Sequence, residues 1–282
     1  MKIFSCAKIN LYLDVVGRDT DGYHFIESLF QEVSLADEIE VNPSESDFIS
    51  FDGMLVEGDT TVHKALRLFR ESFGTKSGYT IHVKKRIPMG AGLGGGSSNA
   101  AAVLSALAVL EGVEKASLFP LASRIGSDVP FFLWGGMAWV SGKGEKITPL
   151  SCRLEDVYFL IVYPGIHVST AWAYSLINDY RPHTHPQNIL DSLGGSLDFL
   201  RKIVYNKFQP FVFAAREDLA RWKAILDRES GAEFSFMSGS GSSLVYVYSS
   251  AERRDADRKC FSYQRDIQVF SADPVYRPSE KG

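Results

Sequence analysis

Hydrophobic and polar positions change their period several times along this chain. Residues 2–16 partly alternate and are rich in strand formers, which predicts a long strand bent around Lys8-Ile9-Asn10. Residues 28–42 read as two further strands broken near Ala36-Asp37, and 48–51 as a short one. From Val62 to Phe73 the apolar residues Ala65, Leu66, Leu68, Phe69 and Phe73 fall at helical spacing. Period two returns at 79–84, and helices are expected over 97–110 and 117–126. Two short strands, near 136–141 and 145–150, flank Gly142-Lys143-Gly144.

The second half opens on a continuous apolar strand at 157–163. Helices between 169 and 229, strands at 233–237 and 243–248, a helix at 251–262 and a strand at 266–271 follow. That order matches a split βαβ, ferredoxin-like arrangement. The boundary is expected near Ser151-Cys152, dividing 1–152 from 153–282, and Arg181 to Gly195 reads as a loop holding one short helix.

One segment is not explained by packing. Pro88-Met89-Gly90-Ala91-Gly92-Leu93-Gly94-Gly95-Gly96-Ser97-Ser98-Asn99 lies between a predicted strand and an alanine-rich helix. Ordering that many glycines costs backbone entropy. Their use is close approach of backbone N–H groups to a ligand, and a helix N-terminus adds four unpaired N–H donors and a positive dipole end. The chemistry is that of a phosphate site. Gly90-x-Gly92-x-x-Gly95 formally fits the dinucleotide fingerprint, but the strand before it alternates through Thr80, His82 and Lys84, and Pro88 interrupts the passage to the turn. A P-loop is excluded because no Gly-Lys-Ser/Thr closes the run.

Composition narrows the class. The chain has 282 residues, a formal charge of −4, 45% hydrophobic and 23% charged residues. A chain of this size and composition folds without metal or disulfide, and the mild acidity argues against a nucleic-acid binder. Cys6, Cys152 and Cys260 form no CxxC pair, which points to a reducing compartment. His183 and His185 stand beside prolines without a nearby Cys or carboxylate, so they read as a polar loop. No apolar run is long enough to span a membrane, and no leader pattern opens the chain. A cytoplasmic protein, monomeric or weakly dimeric, is expected.

Pro88-x-Gly-x-Gly-Leu-Gly-Gly-Gly-Ser-Ser-Asn-Ala-Ala resembles the second motif of the galactokinase, homoserine kinase, mevalonate kinase and phosphomevalonate kinase superfamily. Ala7-Lys8-Ile9-Asn10-Leu11 is similar to its first motif and Ser238-Gly239-Ser240-Gly241-Ser242-Ser243 to its third. Asp21-Gly22-Tyr23-His24, Leu29-Phe30-Gln31 and Gly126-Ser127-Asp128-Val129-Pro130 resemble one branch of it, whose acceptor is a cytidine-diphosphate-linked methylerythritol. The resemblance implies two α+β domains, the first like ribosomal S5 domain 2 and the second ferredoxin-like, with the active site in the cleft between them. It also implies phosphorylation of the acceptor's 2-hydroxyl by ATP with Mg²⁺.

The residue roles it implies are as follows. Asp128 is the base and Lys8 its partner, keeping the carboxylate ionised and neutralising charge on the transferring group. Asn10, two residues along the strand from Lys8, bonds the polyol or the Asp–Lys pair. Tyr23, His24 and Phe30 hold the cytidine, with Tyr174, or Trp172 beside it, on the other face. Lys85, Pro88, Gly90, Gly92, Leu93, Gly94, Gly95, Gly96, Ser97 and Ser98 hold the nucleotide phosphates, and Gly239 and Gly241 let the third motif approach them. Ser97 and Ser98 are candidate Mg²⁺ ligands, and no acidic residue stands out as one.

From the residues alone, blander readings stay open. Asp128 can be a turn or cap residue, Lys8 an edge-strand lysine, Tyr23-His24 a buried aromatic pair, and Lys84-Lys85-Arg86 a solvated basic cluster. Two other functions also stay open. One is another small-molecule kinase of the superfamily, of homoserine or mevalonate type, which needs no cytidine pocket. The other is a non-enzymatic nucleic-acid-binding module, which needs a basic face.

Overall fold

The computed structural model describes residues 1–52 and 58–277. In chain order the elements are β1 (Lys2–Arg18), β2 (His24–Ser44), β3 (Phe48–Phe51), α1 (Thr61–Phe73), β4 (Gly78–Lys84), α2 (Gly95–Glu111), α3 (Phe119–Ile125) and α4 (Val129–Trp134). Then come β5 (Met137–Gly142), β6 (Lys146–Leu150), β7 (Tyr158–Tyr163), α5 (Thr170–Ser175), α6 (Pro186–Asp191), α7 (Leu197–Ile203) and β8 (Tyr205–Asn206). The last are α8 (Phe208–Ala215), α9 (Glu217–Glu229), β9 (Phe234–Met237), β10 (Leu244–Tyr248), α10 (Ala251–Phe261) and β11 (Gln268–Ala272).

Contacts divide the chain into two compact units. Unit 1 comprises Met1–Ala7, Ala36–Met89 and Gly94–Gly135; unit 2 comprises Lys8–Leu35, Gly90–Leu93 and Gly136–Gly282. Both β1 and β2 therefore contribute residues to each unit.

In unit 1, β4 pairs antiparallel with the end of β2, from Glu38↔Lys84 to Ser44↔Gly78, and β3 runs parallel to β4. Its helices pack on one another: α1 on α2 and α3, and α4 on α2 and α3. Thr60 caps α1 in a reciprocal box with His63, and Gly74 closes it. Helix α2 is apolar on nearly all sides, so Ala100, Ala101, Val103, Leu104, Ala106 and Leu107 are all buried. Burying a leucine or valine contributes about 1.5–3 kcal/mol, so this helix anchors the unit.

In unit 2, the start of β2 pairs with β5 from Ile26↔Gly142 to Gln31↔Met137, and β5 pairs with β6. The two-residue β8 runs parallel to β1 at Tyr12↔Tyr205. A separate antiparallel sheet has the order β11-β7-β10-β9. Counted in chain order this is fourth, first, third, second, the ferredoxin-like sequence of strands that the pattern predicts. Helix α10 packs against β7, β10 and β11.

One expectation is corrected. The break at Ala36-Asp37 does not occur: β2 runs unbroken from His24 to Ser44. A charged residue inside a strand reads as a breaker, but Asp37 is fully buried and its carboxylate is saturated by donors, so no turn is needed. Asp128 itself lies in a turn and at the N-cap position of α4, though its carboxylate does not cap that helix. Val129-Pro130 opens α4, with proline in the first turn, where its missing N–H costs nothing.

Candidate active site

The start of α2 is built from backbone. Gly94, at φ +70°, is its N-cap, and no side chain caps the helix. A left-handed residue at this position is easiest for glycine, and the first N–H groups of the helix are left for a ligand. Around this turn the side chains interlock. Asp37 accepts from the backbone N–H of Arg86 at 2.7 Å and Ile87 at 2.8 Å, and from Asn99 Nδ2 at 2.8 Å. Lys85 forms an ion pair with Asp37 and donates to Asn99 Oδ1 at 3.1 Å. Asn99 also donates to Ser5 Oγ at 3.0 Å, and Ser5 donates to Ser98 Oγ at 2.7 Å. Thr61 of α1 donates to the Gly96 carbonyl at 2.7 Å. Ser97 is half-buried and Pro88 likewise.

The first part of the glycine run, Gly90–Leu93, lies in unit 2. There it meets the third glycine motif. Ser238 Oγ donates to the Gly92 carbonyl at 3.2 Å, and the Ser243 N–H to the Ala91 carbonyl at 3.2 Å. A Cβ at Gly92, whose φ is +77°, would collide with the Ser238 carbonyl; one at Gly239 would lie 2.9 Å from the Gly92 carbonyl. Glycine is required because two backbones touch. Asn206 braces the motif by donating to the carbonyls of Met237 at 2.6 Å and Gly239 at 2.8 Å. Gly241 turns back through its N–H to the Ser238 carbonyl at 3.0 Å. The ring of His167 fills the space a side chain at Gly90 would need.

Lys8 is buried beside this loop, its N–H donating to the Leu93 carbonyl at 3.0 Å. Its ammonium donates to Asn10 Oδ1 at 2.6 Å and lies 4.6 Å from the centre of the Phe30 ring. Asn10 in turn donates to Ser28 Oγ at 3.1 Å. The solvated edge lysine is therefore not what unit 2 contains. The strand period places Lys8 and Asn10 on one side, and the hydrogen bond fixes both.

Tyr23 and His24 face different neighbours. The Tyr23 ring is 62% exposed and carries Lys143 over one face at 4.5 Å. Lys143 is also paired with Asp19, which raises the ammonium's pKa and lowers the carboxylate's through their hydrogen bond. His24 stacks on Tyr174, with ring centres 4.5 Å apart and planes 19° from parallel. No base fits between those two rings, so the free edge of His24 and the exposed face of Tyr23 are what a base can reach. Burial lowers the pKa of His24, with Arg18 adding to the effect, so the ring is neutral at pH 7. Tyr180 was not visible in the pattern: its hydroxyl donates to the Ile177 carbonyl at 3.3 Å and stands 3.4 Å from His24 Nε2.

Unit 2 also holds a second polar knot. Asp14 is fully buried and accepts from the His183 N–H at 2.6 Å and the Val15 N–H at 2.9 Å, with Lys207 at 3.3 Å. Lys207 also donates to the Arg181 carbonyl at 2.8 Å. The His183 ring stacks on Tyr205 at 3.8 Å, and Tyr12 stacks on Trp139 at 5.8 Å. The sequence pattern singles out neither Asp14 nor Lys207; their burial marks them.

Asp128 belongs to unit 1, half-buried at the N-cap of α4, and its carboxylate does not cap that helix. Lys85, Pro88 and Gly94 to Ser98 share unit 1, whereas Lys8, Asn10, Tyr23, His24, Phe30, Tyr174, Gly90, Gly92, Leu93, Gly239 and Gly241 lie in unit 2. Among the described residues no three His, Cys, Asp or Glu side chains are placed to hold a metal ion, and no helix is long and apolar enough to cross a membrane.

The glycine-led helix start and the motif-bearing strands define a class. The family model described as the GHMP kinases N terminal domain matches residues 60–136. A solved homoserine kinase from Cytophaga hutchinsonii, 20% identical, has the same fold, with a TM-score of 0.69 over 97% of this chain and 94% of its own. Nearer relatives share one name. The 4-diphosphocytidyl-2-C-methyl-D-erythritol kinase of Thermotoga petrophila is 35% identical over 251 residues, covering 88% of this chain and 92% of that protein. That of Chlorobaculum tepidum is 38% identical over 270 residues, covering 88% and 90%. A crystal structure of 4-(cytidine 5'-diphospho)-2C-methyl-D-erythritol kinase, 33% identical, superposes with a TM-score of 0.80 over 96% of this chain and 99% of its own. The chain belongs to the 4-diphosphocytidyl-2-C-methyl-D-erythritol kinase family, within the GHMP kinases.

Proposed function

We propose that this chain transfers the terminal phosphoryl group of ATP to the 2-hydroxyl of 4-diphosphocytidyl-2-C-methyl-D-erythritol. The observation that carries the reading is the extent of the match: relatives named for that substrate align at 35–38% identity over 85–97% of this chain. In this reading Asp128 accepts the hydroxyl proton as the oxygen attacks the γ-phosphorus. The bond from phosphorus to the bridging oxygen of ADP breaks, and ADP leaves with that electron pair. The products are the 2-phosphate and ADP. Lys8, oriented by Asn10, offsets charge on the transferring group. Transfer passes through a loose transition state, so fixed charge and position matter more than base strength.

The first turn of α2 offers unpaired N–H groups and no acidic side chain to the nucleotide phosphates. Mg²⁺ accompanying ATP would supply further charge neutralisation. Its ligands would be phosphate oxygens, water and the Ser97 hydroxyl; the Ser98 hydroxyl already accepts from Ser5. The cytosine would lie on the exposed face of Tyr23 and use the neutral edge of His24.

Phosphorus NMR of a reaction with Mg-ATP and the cytidine substrate tests this. A new phosphomonoester at carbon 2 is expected, formed with one ADP per product. Asp128→Asn is expected to lower kcat by about 10²–10⁴-fold with the ATP affinity kept. No phosphomonoester, or one formed at an unchanged rate by Asp128→Asn, would overturn the substrate or the base respectively.

A further inference from the structure

We infer that Lys85 and Asp37 form a charge-balanced positioning pair for the first turn of α2, and that Lys85 is not a phosphate ligand. The inference rests on the reading that nucleotide phosphates bind at the start of α2. Three consecutive basic residues, Lys84-Lys85-Arg86, precede the glycine run, and a lysine there is the natural choice for a phosphate. The structure commits Lys85 elsewhere. Its side chain is 10% exposed, its ammonium is paired with a fully buried Asp37, and it also donates to Asn99.

The carboxylate is fully used. One Asp37 oxygen takes the Arg86 and Ile87 N–H groups, and the other takes Lys85 and Asn99. A carboxylate accepts about four hydrogen bonds, so no capacity remains. Asn99, in the second turn of α2, is held at both ends of its amide. The pair also sets the space beside the helix. A Cβ on Gly95 would lie 3.3 Å from Lys85 Nζ and 2.9 Å from an Ile87 methyl carbon. Lys85 thus ties the end of β4 to α2 at the turn where the N–H groups are offered.

The charges give a sign that separates this role from direct contact. As a pair they sum to zero, and the backbone N–H groups set the field at the helix start. With Lys85 removed alone, a buried carboxylate is left uncompensated beside the phosphate site, where it repels the ligand and loosens the turn. With both charges removed, the repulsion is gone. A lysine that touched phosphate would be missed equally in either background.

The test is calorimetric titration of the full chain with Mg-ATP, without acceptor, on the wild type, Lys85→Met, Asp37→Asn and the double variant. Circular dichroism checks that each folds. Lys85→Met is expected to weaken ATP binding about 100-fold, and adding Asp37→Asn to recover at least about tenfold of that loss. The acceptor KM should move less than about twofold in the double variant, which a general loss of structure would not spare. A double variant no better than Lys85→Met would overturn the inference and make Lys85 a phosphate contact. If Lys85→Met does not fold, Asn99→Ala keeps both charges and removes their shared tether to α2. It is expected to weaken ATP about tenfold, and unchanged ATP affinity would overturn the inference. A wild type that binds no ATP would overturn the nucleotide reading itself.

Discussion

Asp37 on β2 and Asp14 on β1 are both fully buried, and each faces a lysine, yet the two knots are supported differently. Around Asp37 the bonds are short and the partners come from regular elements or their immediate ends: Arg86, Ile87 and Asn99, all at 2.7–2.8 Å. Around Asp14 the lysine and the Tyr12 hydroxyl stand off at 3.3 Å, and the firm bonds are from the neighbouring Val15 N–H at 2.9 Å and from a loop N–H, that of His183, at 2.6 Å. The loop has a second support, because its His183 ring lies flat on Tyr205 with planes 5° apart. Charge holds the helix start; charge and aromatic packing share the work at the loop. The lesson is that a helix terminus offered to a ligand cannot also be filled with apolar side chains. It has to be braced from behind by polar ones.

Removing Asp37 has the largest expected effect on the molecule. Asp37→Ala leaves the Lys85 ammonium buried without its carboxylate and is expected to cost about 3–5 kcal/mol, measured by urea unfolding. A loss below about 1 kcal/mol would erase the distinction between the knots. Asp14→Ala is expected to cost less, about 2–3 kcal/mol, because Lys207 keeps the Arg181 carbonyl and the ring stack survives. The kinetic signatures should also differ. Asp37 variants shift the ATP constant, whereas Asp14→Ala loosens the segment after Tyr180 and raises the acceptor KM with the ATP constant unchanged.

A pH series sharpens the second half. Burial and Arg18 hold the His24 pKa below its ordinary value, so the folded chain takes up this proton later than the unfolded chain as pH falls. The neutral ring, and the stability linked to it, are complete above about pH 6.5 and are lost as pH drops through the lowered folded pKa. Acceptor KM should therefore rise only below the ordinary histidine range of about pH 6.5, and His24→Asn should flatten that rise. A rise already present above about pH 7 would contradict it. The smallest effect is expected at Lys143, whose ammonium over Tyr23 is solvated: Lys143→Ala should change acceptor KM less than about threefold.

Much of this is legible in the sequence. Five glycines in seven residues mark a tight turn into a helix, and close packing explains part of the run: a Cβ at Gly90, Gly92 or Gly95 would collide with His167, the Ser238 carbonyl or Ile87, while Gly94 is the left-handed N-cap of α2. The ferredoxin-like strand order follows from element order and apolar period. Lys8 and Asn10 were paired by period two, and their hydrogen bond follows from that spacing. What stayed hidden were partners far apart in sequence. Asp37 reads as a strand break because its donors lie 48 to 62 residues away. Asp14 and Lys207 carry no local signal, and α4 was masked by a proline that sits where a helix tolerates it.

ADP release is measured from the purified chain with Mg-ATP, with and without 4-diphosphocytidyl-2-C-methyl-D-erythritol, beside Asp128→Asn. Release that requires the cytidine substrate and is lost in the variant is the expected result. Release with homoserine or mevalonate but not with the cytidine substrate, or release independent of any alcohol, would contradict it.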